Sequence, residues 1–225
     1  MMFRVLDLPQ RSAEWFQARL GRLTGSCAGE MLAQIKTGEA AARRDLRLRL
    51  VCERLTQQSQ EDGYVNAVMQ RGIDLEPLAR AAYEARTGQM VEQTGFLAHP
   101  SLMTGCSLDG HLGEFETVVC LKCPKSSTHL GYLRAGVLPA AYIPQCLHEL
   151  WITGARFYDF LSFDDRFPAA LQTFYVRLSR NEAAVEDYAR KALAFLEEVD
   201  REYDAVLTLT NLPKALERSL EAQPA

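Results

Sequence analysis

The sequence predicts an α/β (α+β) domain in which a central mixed β-sheet is flanked by helices. Three observations predict it: helical periodicity with recognisable end signals up to residue 88, three extended runs between residues 90 and 123, and two further β-type runs followed by a long closing helix. At 225 residues the chain is long enough to bury an apolar core without staples, which suits one domain. Within it, residues 1–70 form a helical N-terminal part, 71–180 the core, and 181–225 a C-terminal helix and tail.

Taken in order, Ser12 to Leu20 reads as a short helix capped by Ser12, with Trp15 on its apolar side. A turn, 21-GRLTGS-26, precedes the helical pattern 27-CAGEMLAQI-35. Thr24 and Ser26 therefore stand at a helix start, where free N–H groups favour an anion, although simple capping is the better explanation from the residues alone. Residues 40–56 are strong helix formers, and 57-QQSQEDGYVN-66 is a polar loop. The next helix spans 70–88. Pro77 is expected in its first turn, which puts Glu76 near the helix start, and Gly88 stops it.

The runs 90-MVEQTGFLAH-99, 102-LMTGCSLDG-110 and 115-FETVVCLKC-123 read as a three-strand meander. The segment 140-AAYIPQCLHELWITG-154 turns helical and ends at Gly154, after which 156-RFYDFLSFD-164 and 171-LQTFYVRLS-179 complete the sheet. Ser179 and Glu182 match a capping box for the last helix. Its stripe Val185, Tyr188, Ala192, Phe195, Val199, Tyr203 has the spacing of core or subunit contact, and the tail 214–225 reads as frayed.

Composition narrows the partners. A net charge of −4 argues against a protein that coats nucleic acid indiscriminately, but Arg43, Arg47 and Arg54 share a helical face and make a local basic patch. The same face reads equally well as solvated, with Asp45 and Glu53 as partners. There is no signal-type apolar run and no apolar stretch of about eighteen residues, so a cytoplasmic, membrane-free protein is expected. In that setting the six cysteines (27, 52, 106, 120, 123 and 146) are expected to be reduced.

The chemistry gathers on the strand 116-ETVVCLKCP-124. Side chains alternate along a strand, so Cys120 and Lys122 share a face and Cys123 points the other way. That placement frustrates a zinc knuckle or a redox pair, which need both sulfurs turned to one site. Asp109, at Leu108-Asp109-Gly110, instead faces an acid-x-Lys triplet in which Cys120 stands at the acid position. Two acids holding a hard divalent ion, with a lysine to orient water, is the plan of metal-dependent phosphodiester hydrolysis.

Six ordered blocks carry a resemblance: 15-WFQARLGRLTGS-26, 72-GIDLEPLARAAYEARTG-88, 104-TGCSLDG-110, 121-LKCP-124, 142-YIPQCLHELWITG-154 and 159-DFLSFDDRFP-168. Together they resemble the lambda-exonuclease-like, YqaJ-type viral recombinase family of the restriction-endonuclease-like PD-(D/E)xK nucleases. The resemblance implies a restriction-endonuclease-like core and a 5′→3′ exonuclease acting on double-stranded DNA with 5′-phosphorylated ends, using Mg²⁺ or Mn²⁺. It implies a homotrimeric ring working with a single-strand-annealing recombinase, release of mononucleotides and a 3′ overhang. Carried over by position, Glu76, Asp109 and the Leu121 carbonyl are implied metal ligands, and Lys122 aligns the attacking water. Gln145 and Tyr142 are implied to support the site, and Arg19, Ser26 and Ser107 to hold the terminal 5′-phosphate. Arg43, Arg47 and Arg54 become candidates for a DNA-lined bore.

Position 120 departs from the pattern, which demands Glu. A thiol is shorter, protonated at neutral pH and a poor ligand for Mg²⁺. Glu116, on the same face, is four residues back, about 13 Å at ~3.3 Å per residue, and cannot take its place. Impaired cleavage is expected, with a non-catalytic DNA-end-binding scaffold as the alternative. An iron–sulfur nuclease would need four converging cysteines.

Overall fold

The computed structural model describes residues 3–60 and 67–209, so the tail 214–225 and residues 61–66 of the loop 57–66 lie outside the described residues. The N-terminal part comprises β1 (Arg4–Leu6), α1 (Ala13–Arg19), β2 (Leu23–Thr24), a 3-10 turn (Gly25–Cys27), α2 (Ala28–Met31) and α3 (Ala41–Thr56). Then follow α4 (Ala67–Thr87), β3 (Phe96–Ala98), β4 (Thr104–Ser107), β5 (Gly110–Leu112), β6 (Thr117–Lys122), α5 (Ser126–Ala135), α6 (Ile143–Thr153), β7 (Phe157–Phe163), β8 (Thr173–Ser179) and α7 (Glu182–Leu209). The architecture is the mixed α/β one expected, with helices against mixed sheets.

Several local expectations are met in detail. The Ser12 side chain accepts from the Trp15 N–H and starts α1. Gly88 and Gly154 adopt left-handed backbone at the ends of α4 and α6, where a side chain would be strained. The α7 stripe is core, with Val185, Tyr188, Ala192, Phe195 and Val199 all buried.

The meander is corrected. Among the described residues the strands form two four-stranded sheets, ordered β1-β3-β4-β2 and β5-β6-β7-β8. The run 102–110 breaks at Leu108-Asp109, because β4 pairs with β3 and, in parallel, β2, whereas β5 pairs with β6. β5 opposes only residues 117–119 of β6. The Leu121 N–H lies beyond that pairing, and the Asp109 carboxylate takes it at 2.8 Å. Asp109 thus stands in the joint between two sheets rather than at the end of a strand.

Two further corrections concern helix ends. Pro77 lies inside α4 rather than in its first turn, so Glu76 is mid-helix. Pro77 is exposed, while Leu75, Ala79 and Tyr83 on the opposite side pack into the core and hold both halves of the helix. At the start of α7, Asn181 Oδ1 accepts from the Ala184 N–H at 3.1 Å, and Ser179 belongs to β8, so the capping box does not form. Glu182 pairs with Arg180 instead.

The second sheet separates two apolar layers. Val118, Cys120, Tyr158 and Phe160 face a core shared with α6 and α7, whereas Val119, Leu121, Leu161 and Phe163 pack with Leu75 and Tyr83 of α4. β6 and β7 run parallel, joined across α5 and α6. On the α4 side Asp159 is fully buried, accepting from Tyr83 Oη at 2.5 Å and from two Arg177 nitrogens at 2.7 Å each.

Candidate active site

The site is built where β6 ends beside the β4–β5 joint. Asp109 Oδ2 accepts from Leu121 N at 2.8 Å and from Lys122 Nζ at 3.4 Å, so one carboxylate oxygen fixes both the strand end and the lysine. Burial works against the charge on Lys122, but Asp109, with Cys120 and Glu149 behind it, outweighs that cost and holds the ammonium well above its ordinary pKa. The lysine stays charged throughout the neutral range. Its Nζ lies 5.7 Å from the Tyr142 ring centroid, and Tyr142 packs in turn on Phe160 at 5.1 Å.

Cys120 is buried, and burial pushes its thiol up to about 12. It is therefore protonated at neutral pH and offers a hard cation nothing. The expected alternation holds, because Cys123 is only partly buried and packs on the α4 side of the sheet. Burial pushes its thiol up to about 12 as well, with Arg71 and Lys122 opposing the rise and Asp109 and Glu76 adding to it.

One acid was missed in the sequence. Glu149 on α6 is 3 % exposed, and its Oε1 accepts from Gln145 Nε2, one turn earlier, at 2.7 Å. Burial raises its pKa to about 7. The Gln145 hydrogen bond opposes that rise, Asp109 adds to it, and Lys122 and Tyr158 act against it. A Cβ at Gly25 would stand 3.2 Å from Glu149 Oε1, so the glycine lets the 3-10 turn close over this carboxylate. The signal available beforehand was the four-residue spacing from Gln145, which puts both side chains on one helical face.

The Glu76 carboxylate is engaged by Arg11 at 3.0 Å and Arg80 at 3.1 Å. Among the described residues no three His, Cys, Asp or Glu side chains gather closely enough to hold a metal ion. Of the implied side-chain donors, Asp109 suits Mg²⁺ or Mn²⁺, Glu76 would first have to leave two arginines, and the Cys120 thiol does not fit.

The other implied cluster does come together. Arg19 donates to Ser107 Oγ at 3.2 Å and to Ser26 Oγ at 3.5 Å, and its guanidinium lies 4.2 Å over the Trp15 ring. Trp15 Nε1 donates to the same Ser107 oxygen at 3.0 Å. Thr24 and Ser26 share a 3.0 Å hydrogen bond rather than capping a long helix, because the following α2 has only four residues. Their hydroxyls and Arg19, not a helix dipole, give the pocket its polarity.

Arg43, Arg47 and Arg54 lie against α7, and Arg54 also donates to the Gly21 carbonyl at 2.9 Å. Arg43 pairs with Glu39 and Glu198, Arg47 with Glu39 and Glu202, and Arg54 with Asp200. Asp45 pairs with Arg44 instead, and Glu53 accepts from the Gly21 N–H. The three guanidiniums tie α3 to α7.

Residues 14–156 match the YqaJ-like viral recombinase domain. The fold is similar to that of the alkaline exonuclease LHK-Exo from Laribacter hongkongensis, solved alone (34% identity, TM-score 0.80) and in complex with dAMP (34% identity, TM-score 0.81). Both alignments cover 89% of this chain and 98% of that one. A phage-related exonuclease from Haemophilus somnus 129PT shares the fold at 12% identity and a TM-score of 0.62, over 82% of this chain and 96% of its own. No curated protein matches the chain. Among the described residues no helix is long and apolar enough to cross a membrane.

Proposed function

The chain belongs to the YqaJ-like viral recombinase family, of lambda-exonuclease type, and from that membership we propose that it is a metal-dependent 5′→3′ exonuclease acting on double-stranded DNA ends in recombination by single-strand annealing. One observation carries this reading: Ser107 of the Arg19–Ser26–Ser107 cluster and Asp109 of the Asp109–Lys122 pair stand on either side of Leu108 in the joint between β4 and β5. The pocket suits a terminal 5′-phosphate, with Arg19 supplying charge-assisted hydrogen bonds. Lys122, held as a cation, then faces the first phosphodiester bond and neutralises the charge that develops on its oxygens as water attacks in line. Asp109 orients that lysine, and Tyr142 and Gln145 complete the wall. That the related LHK-Exo was solved with a mononucleotide, dAMP, supports release of mononucleotides; a 3′ overhang follows from the proposed polarity.

The cofactor of this reading is Mg²⁺ or Mn²⁺, and the assembly a homotrimeric ring handing its product to a single-strand-annealing recombinase. The buried, protonated Cys120 thiol does not fit a hard cation. The same residue favours a second reading, a scaffold that grips DNA ends without cutting them. Digestion of duplexes carrying 5′-phosphate or 5′-hydroxyl ends, in Mg²⁺ and in Mn²⁺, separates the two. The exonuclease shortens the 5′-phosphorylated strand from its end and releases mononucleotides; binding without cleavage in either ion establishes the scaffold.

A further inference from the structure

Two consecutive residues of α6 back the two arms of the Arg19–Ser26–Ser107 cluster. His148 Nε2 donates to the Gly105 carbonyl at 2.9 Å, two residues before Ser107 on β4, and its Nδ1 bonds Tyr188 Oη at 2.8 Å. Gly105 pairs in turn with Thr24 of β2, beside the Gly25–Cys27 turn that carries Ser26. Glu149 lies under that turn. A Cβ at Gly25 would stand 3.2 Å from Glu149 Oε1 and 3.5 Å from Gln145 Cγ, so turn and carboxyl pack together with little room for a side chain between them.

Glu149 is 3 % exposed, and its Oε1 accepts from Gln145 Nε2 at 2.7 Å. An amide whose nitrogen is held in this way has its oxygen turned away from the carboxyl, so Glu149 sets the orientation of Gln145. A carboxyl group in a closed interior costs stability relative to an apolar side chain of similar size. Core packing therefore does not account for an acid here. What the acid offers is an acceptor at a fixed place between Gly25 and Gln145. The turn on one side of it bears Ser26, bonded to Arg19 at 3.5 Å and to Thr24 at 3.0 Å, and the amide on the other belongs to the wall of the proposed cleavage site.

We propose that Glu149 is a positioning residue shared by the two halves of the site: it seats the Gly25–Ser26 turn opposite Ser107 and Arg19, and it fixes the Gln145 amide. The grip on a terminal 5′-phosphate and the placement of Gln145 then depend on one side chain. His148 holds the Ser107 arm from the preceding position of the same helix. The inference rests on the reading of Arg19, Ser26 and Ser107 as a phosphate pocket, and it is measured by binding, without cleavage.

The test measures the affinity of the full-length protein for a duplex with 5′-phosphate ends and for the same duplex with 5′-hydroxyl ends, by fluorescence anisotropy in EDTA. Wild type is compared with three variants. Glu149→Gln keeps a carbonyl oxygen for Gln145 Nε2, Glu149→Leu removes the acceptor at similar size, and Gly25→Ala drives a methyl group toward Glu149 Oε1. Wild type prefers the phosphorylated end; Glu149→Leu and Gly25→Ala each lower that preference about fivefold or more, and Glu149→Gln retains it. A melting temperature of Glu149→Leu close to that of wild type separates lost positioning from lost folding. Undiminished preference in Glu149→Leu, a loss in Glu149→Gln as large as in Glu149→Leu, or no preference in wild type overturns the inference. If Glu149→Leu does not fold, Gly25→Ala decides, upholding the inference by losing the preference and sinking it by keeping it. Wild type that prefers phosphorylated ends through Glu149 yet cuts no duplex in Mg²⁺ or Mn²⁺ defeats the exonuclease reading and leaves this inference standing; wild type that cuts, with the preference intact in Glu149→Leu, does the reverse.

Discussion

His148 and Glu149 are consecutive buried residues of α6, and burial moves them in opposite directions. His148, bonded to Tyr188 Oη at 2.8 Å and to the Gly105 carbonyl at 2.9 Å, is pushed down to about 4, while Glu149 is pushed up to about 7. Between pH 4 and 6.5 the unfolded chain binds a proton at His148 that the folded chain refuses, so this residue makes stability rise with pH. Between pH 4.5 and 7 the folded chain keeps a proton at Glu149 that the unfolded chain has lost, so that residue makes stability fall with pH. Each contribution is on the order of 3 kcal/mol over its window, and across pH 4.5–6.5 they oppose each other. The metal-free wild type is expected to show a shallow profile there. Glu149→Gln leaves stability climbing with pH, and His148→Gln leaves it falling. Denaturant midpoints at four pH values between 4.5 and 7.5 check this, and two variants that both track wild type would refute it.

Arg19→Ala tests the phosphate pocket. Losing a charge-assisted hydrogen bond lowers kcat/KM on 5′-phosphorylated duplex about tenfold or more and leaves 5′-hydroxyl duplex little changed. An equal fall on both ends would instead assign Arg19 to holding Trp15 and Ser107 in place.

The Asp159 network on the far side of the sheet is structural. Arg177→Ala strands a fully buried carboxylate on the Tyr83 hydroxyl alone and is expected to cost about 3 kcal/mol in urea denaturation. Adding Asp159→Asn to that variant recovers part of the loss. No recovery would mean that Arg177 matters through its packing on Phe157, 5.3 Å away, rather than its charge.

Pro77→Ala restores a hydrogen bond to the middle of α4 and is expected to stabilise the protein by about 1–2 kcal/mol, less than the full helix penalty because the unfolded chain gains freedom. A drop in the denaturant midpoint would show that the proline is needed to seat Leu75 and Tyr83.

Most of what could be read from the chain alone is local. The alternation that sends Cys120 and Cys123 to opposite sides of β6 is a property of any strand, and the glycine stops at 88 and 154 follow from backbone sterics. The two-sheet division was not legible, because strand partners are chosen by distant segments: β2 reaches β4 from eighty residues away, and its two residues carry no pattern. α5 was hidden by Ser, Thr and Gly, poor helix formers that here cover His129, whose ring bonds Ser162 and the Leu171 carbonyl. Asp109, Lys122 and the Arg19 pocket stood out as an ordered set of blocks. Glu149 did not, because a glutamate on a helix ordinarily faces water, and only the packing of α6 under the 3-10 turn buries it.

Ser107 and Asp109 are separated by a single residue, Leu108, whose side chain is locked in the core at 1 % exposure. Ser107 ends one sheet and Asp109 opens onto the other, so the two polar groups cannot drift apart without tearing Leu108 from its packing. Two residues of extended chain span about 6.6 Å at ~3.3 Å each. Under the proposed reading, with a terminal phosphate held at the first and the next linkage attacked at the second, that span would serve as a gauge set in the backbone before any DNA arrives.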